Sequence, residues 1–139
     1  MKNVLYLMTC IVLLSCGHQK QAVITSDEIK KAEINNRAPD DEVSVILIGL
    51  SNEDGLKEAP FSDWYLQYYT DYQVEENASE ALRHLLKDVK IKVFMGTWCE
   101  DSQRETARLY KILEAASYPK NRIELIALSR EKYTPEGFE

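Results

Sequence analysis

The stretch Lys90-Ile-Lys-Val-Phe-Met-Gly-Thr-Trp-Cys-Glu-Asp-Ser102 decides how the rest of the chain is read. Ile91, Val93, Phe94 and Met95 form a short apolar run rich in strand-favouring residues and bounded by Gly96. From Glu100 the period changes. Thr106, Leu109, Tyr110 and Leu113 recur at helical spacing, with Gln103, Arg104, Arg108 and Lys111 mainly on the other side. A strand therefore runs through a short turn into a helix, and Cys99 stands at the junction. The unpaired N–H groups and the dipole of a helix start favour a thiolate, the nucleophilic form of cysteine. Glu100 and Asp101 oppose this, so a moderately lowered pKa is expected. Ser102 places a hydroxyl three residues on, where it can donate to the sulfur. The competing reading is an inert cysteine packed as a small hydrophobe.

Outward from this stretch, the chain alternates between the two periods. Upstream, Asn77–Asp88 reads as a helix with Asn77 and Glu80 as a capping box and Leu82, Leu85 and Leu86 as its buried edge. His84 reads as a surface histidine, with no Cys or second His nearby in sequence to complete a metal site. Before it, Phe61, Trp64, Tyr65, Tyr68 and Tyr72 make an aromatic stripe on a helix expected to be capped by Ser62 and stapled by Phe61 and Leu66. That stripe fits docking on the sheet better than a stacking platform for a sugar or peptide. Val43–Ile48 is short, β-branched and almost wholly apolar, as in a strand covered on both faces, and Ser51–Gly55 breaks it. Asn35–Asp41 reads as a turn-rich connector. Downstream, Tyr118–Asn121 is a stop signal and Ile123–Leu128 a third strand. Three strands separated by helical crossovers predict an α/β fold with a parallel sheet and right-handed connections.

Phe94-Met-Gly-Thr-Trp-Cys-Glu-Asp-Ser102 resembles the active-site segment of thioredoxin-fold proteins, in which Trp-Cys-x-x-Cys closes a strand and opens a helix. The resemblance covers about residues 88–128. It implies that Cys99 is the attacking cysteine and Trp98 the aromatic residue before it. Three positions depart from the family pattern. The second cysteine is Ser102, the buried acid six positions before the nucleophile is Val93, and the helix-kinking proline is Ala107. A hydroxyl cannot attack a disulfide, so the resemblance implies one-thiol chemistry resolved by an external thiol. The family fold continues through a helix, two strands and a closing helix, with a cis-proline facing the nucleophile. Here Pro135 of the Thr134-Pro135 pair follows the third strand after only the six residues Ser129 to Thr134, whereas a helix alone takes about 11 or 12. Residues 41–139 are therefore expected to hold a partial thioredoxin-like domain, truncated so that the C-terminal half is missing.

At the other end, Lys2 precedes an apolar run from Val4 to Leu14 that meets Ser15 and Cys16. This is a secretory signal pattern, too short for a permanent membrane span. Leu13-Leu-Ser-Cys16 resembles the bacterial lipobox, which implies that residues 1–16 are a lipoprotein signal peptide segment whose Cys16 is lipidated and becomes the new N-terminus. Residues 17–40 then read as a tether, with a short helix over Ser26–Ile34 capped by Ser26. The chain carries 17 basic and 23 acidic side chains, a net charge of −6, and loss of Lys2 with the signal makes it more negative. That balance gives no support for nucleic-acid binding. Cys99 would be the one free thiol outside the cytoplasm, so its disulfide partner must be another molecule. The expected protein is a lipid-anchored, thioredoxin-like thiol–disulfide exchange protein of the cell envelope, facing the periplasm. It would meet protein or small-molecule thiols and disulfides, with no cofactor and no metal. The alternative is a non-catalytic binding or assembly module of the same fold.

Overall fold

The computed structural model describes residues 34–134. The signal segment, Cys16, the tether and its helix up to residue 33, and Pro135 lie outside the described residues, whereas the end of the expected tether, residues 34–40, is described and includes a strand. Among the described residues the fold is mixed α/β, with two small sheets and four α-helices. Strand β1 (Arg37–Asp40) pairs antiparallel with β2 (Ser44–Leu47) as a hairpin. Strand β3 (Gly49–Ser51) then enters a second sheet of order β3-β5-β4, with β4 at Ile91–Met95 and β5 at Ile123–Ala127. Helices α1 (Glu53–Leu56), α2 (Ser62–Asp71) and α3 (Glu76–Leu85) separate β3 from β4. The long helix α4 (Glu100–Ala115) and a 3₁₀ turn at Lys120–Arg122 separate β4 from β5.

The strand–turn–helix reading around Cys99 is found as expected, and β4 and β5 run parallel in register from Ile91↔Ile123 to Met95↔Ala127. The first expected strand differs. Only Ser44–Leu47 of its apolar run Val43–Ile48 is strand, and a new strand starts just past the run at Gly49, whose φ of 78° lies in the left-handed region that glycine enters without strain. The chain changes sheets there, and β3 meets β5 antiparallel, so the sheet is mixed rather than all parallel. The connector Asn35–Asp41 also supplies a strand. Asp40 Oδ1 accepts the Glu42 and Val43 N–H groups and so turns the hairpin. Pro39 is tolerated because a two-stranded sheet is all edge.

Three capping expectations are corrected as well. Phe61, not Ser62, is the cap of α2, because the Glu58 carbonyl already accepts the Phe61 and Ser62 N–H groups. Leu66 is exposed, so no staple forms. Helix α3 begins one residue before Asn77, which places Asn77 inside the first turn, where a capping box cannot form. Gly55 is helical and serves close packing: a Cβ there would run into the Asn35 side chain.

Leu47, Leu56, Phe61, Tyr65, Met95, Ala107, Tyr110, Leu125 and Ala127 form the core. The aromatic stripe of α2 docks inward: Phe61 and Tyr65 are buried, Trp64, Tyr68 and Tyr69 pack against the core, and Tyr65 meets Tyr110 of α4 edge-on. Helix α4 is held at its far end by Ser117, whose positive φ of 56° lets Tyr118 N–H return to the Leu113 carbonyl at 2.8 Å. No helix among the described residues is long and apolar enough to cross a membrane.

Candidate functional site

The turn between β4 and α4 is fixed from both sides before any chemistry is considered. Thr97 is buried, and its hydroxyl oxygen accepts the Leu47 N–H of β2 at 3.0 Å. Its carbonyl accepts from the Gln103 side chain at 2.7 Å, which ties the turn to the first coil of α4. Trp98 lies back over Gly96, where an added Cβ would come within 2.6 Å of the ring. Its Nε1–H donates to the Leu128 carbonyl at 3.0 Å. Glycine at 96 is therefore required by close approach.

Cys99 is the N-cap residue of α4, in extended backbone, with its own N–H bonded to the Gly96 carbonyl at 3.0 Å. Its side chain is a free thiol of intermediate exposure. The Ser102 main-chain N–H, followed by the Ser102 hydroxyl, favours the thiolate and lowers the pKa below the ordinary thiol value. Partial burial and the Asp101 charge work against this without reversing it, while the Asp101 N–H assists. No capping hydrogen bond of full strength closes on the sulfur, so the stabilisation is that of nearby donors at a helix start. Glu100, the next residue, accepts a bond of 3.3 Å from the Tyr68 hydroxyl of α2.

The three residues singled out by sequence, Trp98, Cys99 and Ser102, thus occupy one turn and the first coil of one helix. Val93 and Ala107 are half-buried and buried respectively. His84 is exposed, as expected. Among the described residues, no three His, Cys, Asp or Glu side chains gather where they could hold a metal ion.

Two charged clusters were not foreseen. Arg130, just after β5, grips Asp40 with two bonds of 2.7 and 2.9 Å and meets Glu42 at 2.9 Å. Its guanidinium lies 5.4 Å from the centre of the Trp98 ring. Glu53, buried at the start of α1, accepts from the Tyr65 hydroxyl at 2.8 Å and pairs with Lys57 at 2.8 Å and Lys120 at 2.5 Å. Burial pushes the Glu53 carboxyl up, but the Lys120, Lys57 and Tyr65 bonds outweigh it and hold the pKa below the usual range. A cleft of about 540 Å³ opens beside Glu53 and Lys120. The Asp40–Arg130 pair spans 90 residues and Glu53–Lys120 spans 67, so no local pattern announces either.

Among the described residues, the fold and site define a mixed α/β protein with one free, partly exposed thiol, that of Cys99, at the start of the longest helix, where neighbouring N–H and hydroxyl groups favour its thiolate. Compared with known proteins, the chain matches no family model, no curated protein and no solved structure.

Proposed function

We propose that the protein is a thioredoxin-like thiol–disulfide exchange protein working through the single cysteine Cys99, held in the cell envelope by a lipid on Cys16. The observation that carries the chemistry is the placement of Cys99: a part-exposed sulfur at the helix start, made more acidic by the Ser102 N–H and hydroxyl. In the proposed step the Cys99 thiolate attacks one sulfur of a partner disulfide. The partner S–S bond breaks, a Cys99–partner disulfide forms, and the other partner sulfur leaves as a thiolate. A low-molecular-weight thiol then attacks the mixed disulfide, restores reduced Cys99 and carries away the partner as its own mixed disulfide. Each step exchanges one disulfide for another, so no further oxidant is needed. Envelope attachment is supported by the Leu13-Leu-Ser-Cys16 pattern after a short apolar run. Two acyl chains give durable anchoring where one gives only marginal binding.

The test uses an aromatic disulfide that releases a coloured thione. The full chain carrying Cys10→Ser and Cys16→Ser, so that Cys99 is its one thiol, should release one equivalent and become a mixed disulfide of the added mass, and excess glutathione should reverse it. Cys99→Ala should release nothing from the folded domain. Equal release by the parent and the variant, or no reaction of the folded parent at neutral pH, would overturn the reading. A binding or assembly role would then be left.

A further inference from the structure

The β1–β2 hairpin touches the thiol turn at two separate points. At the first, the Leu47 N–H of β2 is bonded to the Thr97 hydroxyl. At the second, Asp40 of β1 holds Arg130, and Arg130 faces the ring of Trp98. Thr97 and Trp98 are the two residues immediately before the sulfur. We infer that the hairpin is a positioning element for this turn, with Asp40 and Arg130 as positioning residues that fix the Trp98 ring away from the approach to Cys99.

The geometry has the features such a role requires. The Asp40 side chain is only 5% exposed and engages the guanidinium through both oxygens, an arrangement that fixes its plane as well as its place. A planar cation so held can lie against an indole, where a lysine ammonium would act only as a point charge. The Trp98 Nε1–H bond to Leu128 fixes the far edge of the ring, and Leu128 N–H is itself bonded to the Met95 carbonyl at 2.8 Å. The ring is thus held at its edge, at its face and against Gly96. The groups that move the Cys99 pKa most are Ser102 and Asp101. The role inferred for Arg130 is one of access to the thiol rather than of its ionisation.

This inference rests on the thiol reading for its consequence but not for its geometry, and the experiment separates the two. Arg130→Met, Arg130→Lys and Asp40→Asn are prepared in the full chain carrying Trp64→Phe, Cys10→Ser and Cys16→Ser, so that Trp98 alone reports fluorescence and Cys99 alone reacts. The rate of reaction with a bulky disulfide is followed across pH. In Arg130→Met the high-pH plateau should fall by about tenfold, within the roughly hundredfold that a 1 Å misplacement of reacting groups can cost. The midpoint should stay where the parent has it, and Trp98 emission should shift to the red. Arg130→Lys should recover part of the plateau, and Asp40→Asn should lie between it and Arg130→Met. If Arg130→Met does not fold, the graded change in the other two variants carries the test. Parent-like emission and plateau in folded variants would overturn the inference. A midpoint that moves with the plateau would also overturn it, since the arginine would then act on the sulfur's charge. Should the parent thiol be unreactive, the exchange function falls, and the emission readout still decides the clamp.

Discussion

At the scale of single residues, Ser102 is the group on which the site's chemistry turns. The position that would hold a second cysteine in a dithiol site holds a hydroxyl that, with its own N–H, favours the Cys99 thiolate. The two contributions can be separated because only one belongs to the side chain. Ser102→Ala should leave the main-chain contribution in place and remove the hydroxyl. The midpoint of alkylation against pH should therefore rise part of the way toward the ordinary thiol value, near about 8.5. The rate at pH 7 should fall several-fold, because less of the thiol is ionised there, while the plateau at high pH stays unchanged. An iodoacetamide titration of both proteins checks this. A midpoint unmoved by Ser102→Ala would leave the main chain as the whole cause.

At the scale of elements, α3 and α4 make opposite uses of similar sequence periods. Leu113 of α4 is buried, and its truncation to alanine should cost about 2–5 kcal/mol. Leu85 was expected on the buried edge of α3, but it is 73% exposed, and within that helix only Ser79 is buried. Leu85→Ala should therefore change stability by no more than about 0.5 kcal/mol in urea unfolding. The contrast shows what periodicity can and cannot reveal. Spacing of Leu82, Leu85 and Leu86 marks a helix, but whether a neighbour covers that face depends on distant residues. The β4–α4 unit was legible because the change of period, Gly96 and Cys99 lie within a dozen contiguous positions. The hairpin was not, because Pro39 and Asp40 look like turn residues and the apolar run Val43–Ile48 conceals the change of sheet at Gly49. The sites on Arg130 and Lys120 were illegible for the same reason. Their partners are distant in sequence, and a charged residue alone does not name its mate.

At the scale of the whole molecule, two bound carboxylates tie early segments of the described chain to late ones, Asp40 to Arg130 and Glu53 to Lys120. Both carboxyls are held below their ordinary pKa, Asp40 chiefly by its bond from Arg130 and Glu53 by its lysine and tyrosine bonds against the cost of burial. A lowered folded pKa means that the folded state holds its proton less tightly than the unfolded chain. The resulting stability is fully present above the unfolded value, near about 4, and is lost as pH falls through the lower folded value. These groups therefore contribute a constant amount from about pH 5 upward and a falling amount below about pH 4. Asp40, the more strongly depressed, keeps its share to lower pH than Glu53. Glu53→Gln leaves Tyr65 and two lysines facing a neutral amide, and should lose about 1.5–3 kcal/mol at pH 7, the scale of a hydrogen bond to a charged group. The gap in Tm between parent and variant should then narrow from pH 5 to pH 3, because acid neutralises in the parent the charge that the substitution has removed. Thermal unfolding followed by circular dichroism at half-unit steps measures that gap. A gap of constant width would mean that Glu53 contributes through packing rather than charge, and the Lys120 link would lose its place in holding the 3₁₀ turn to α1.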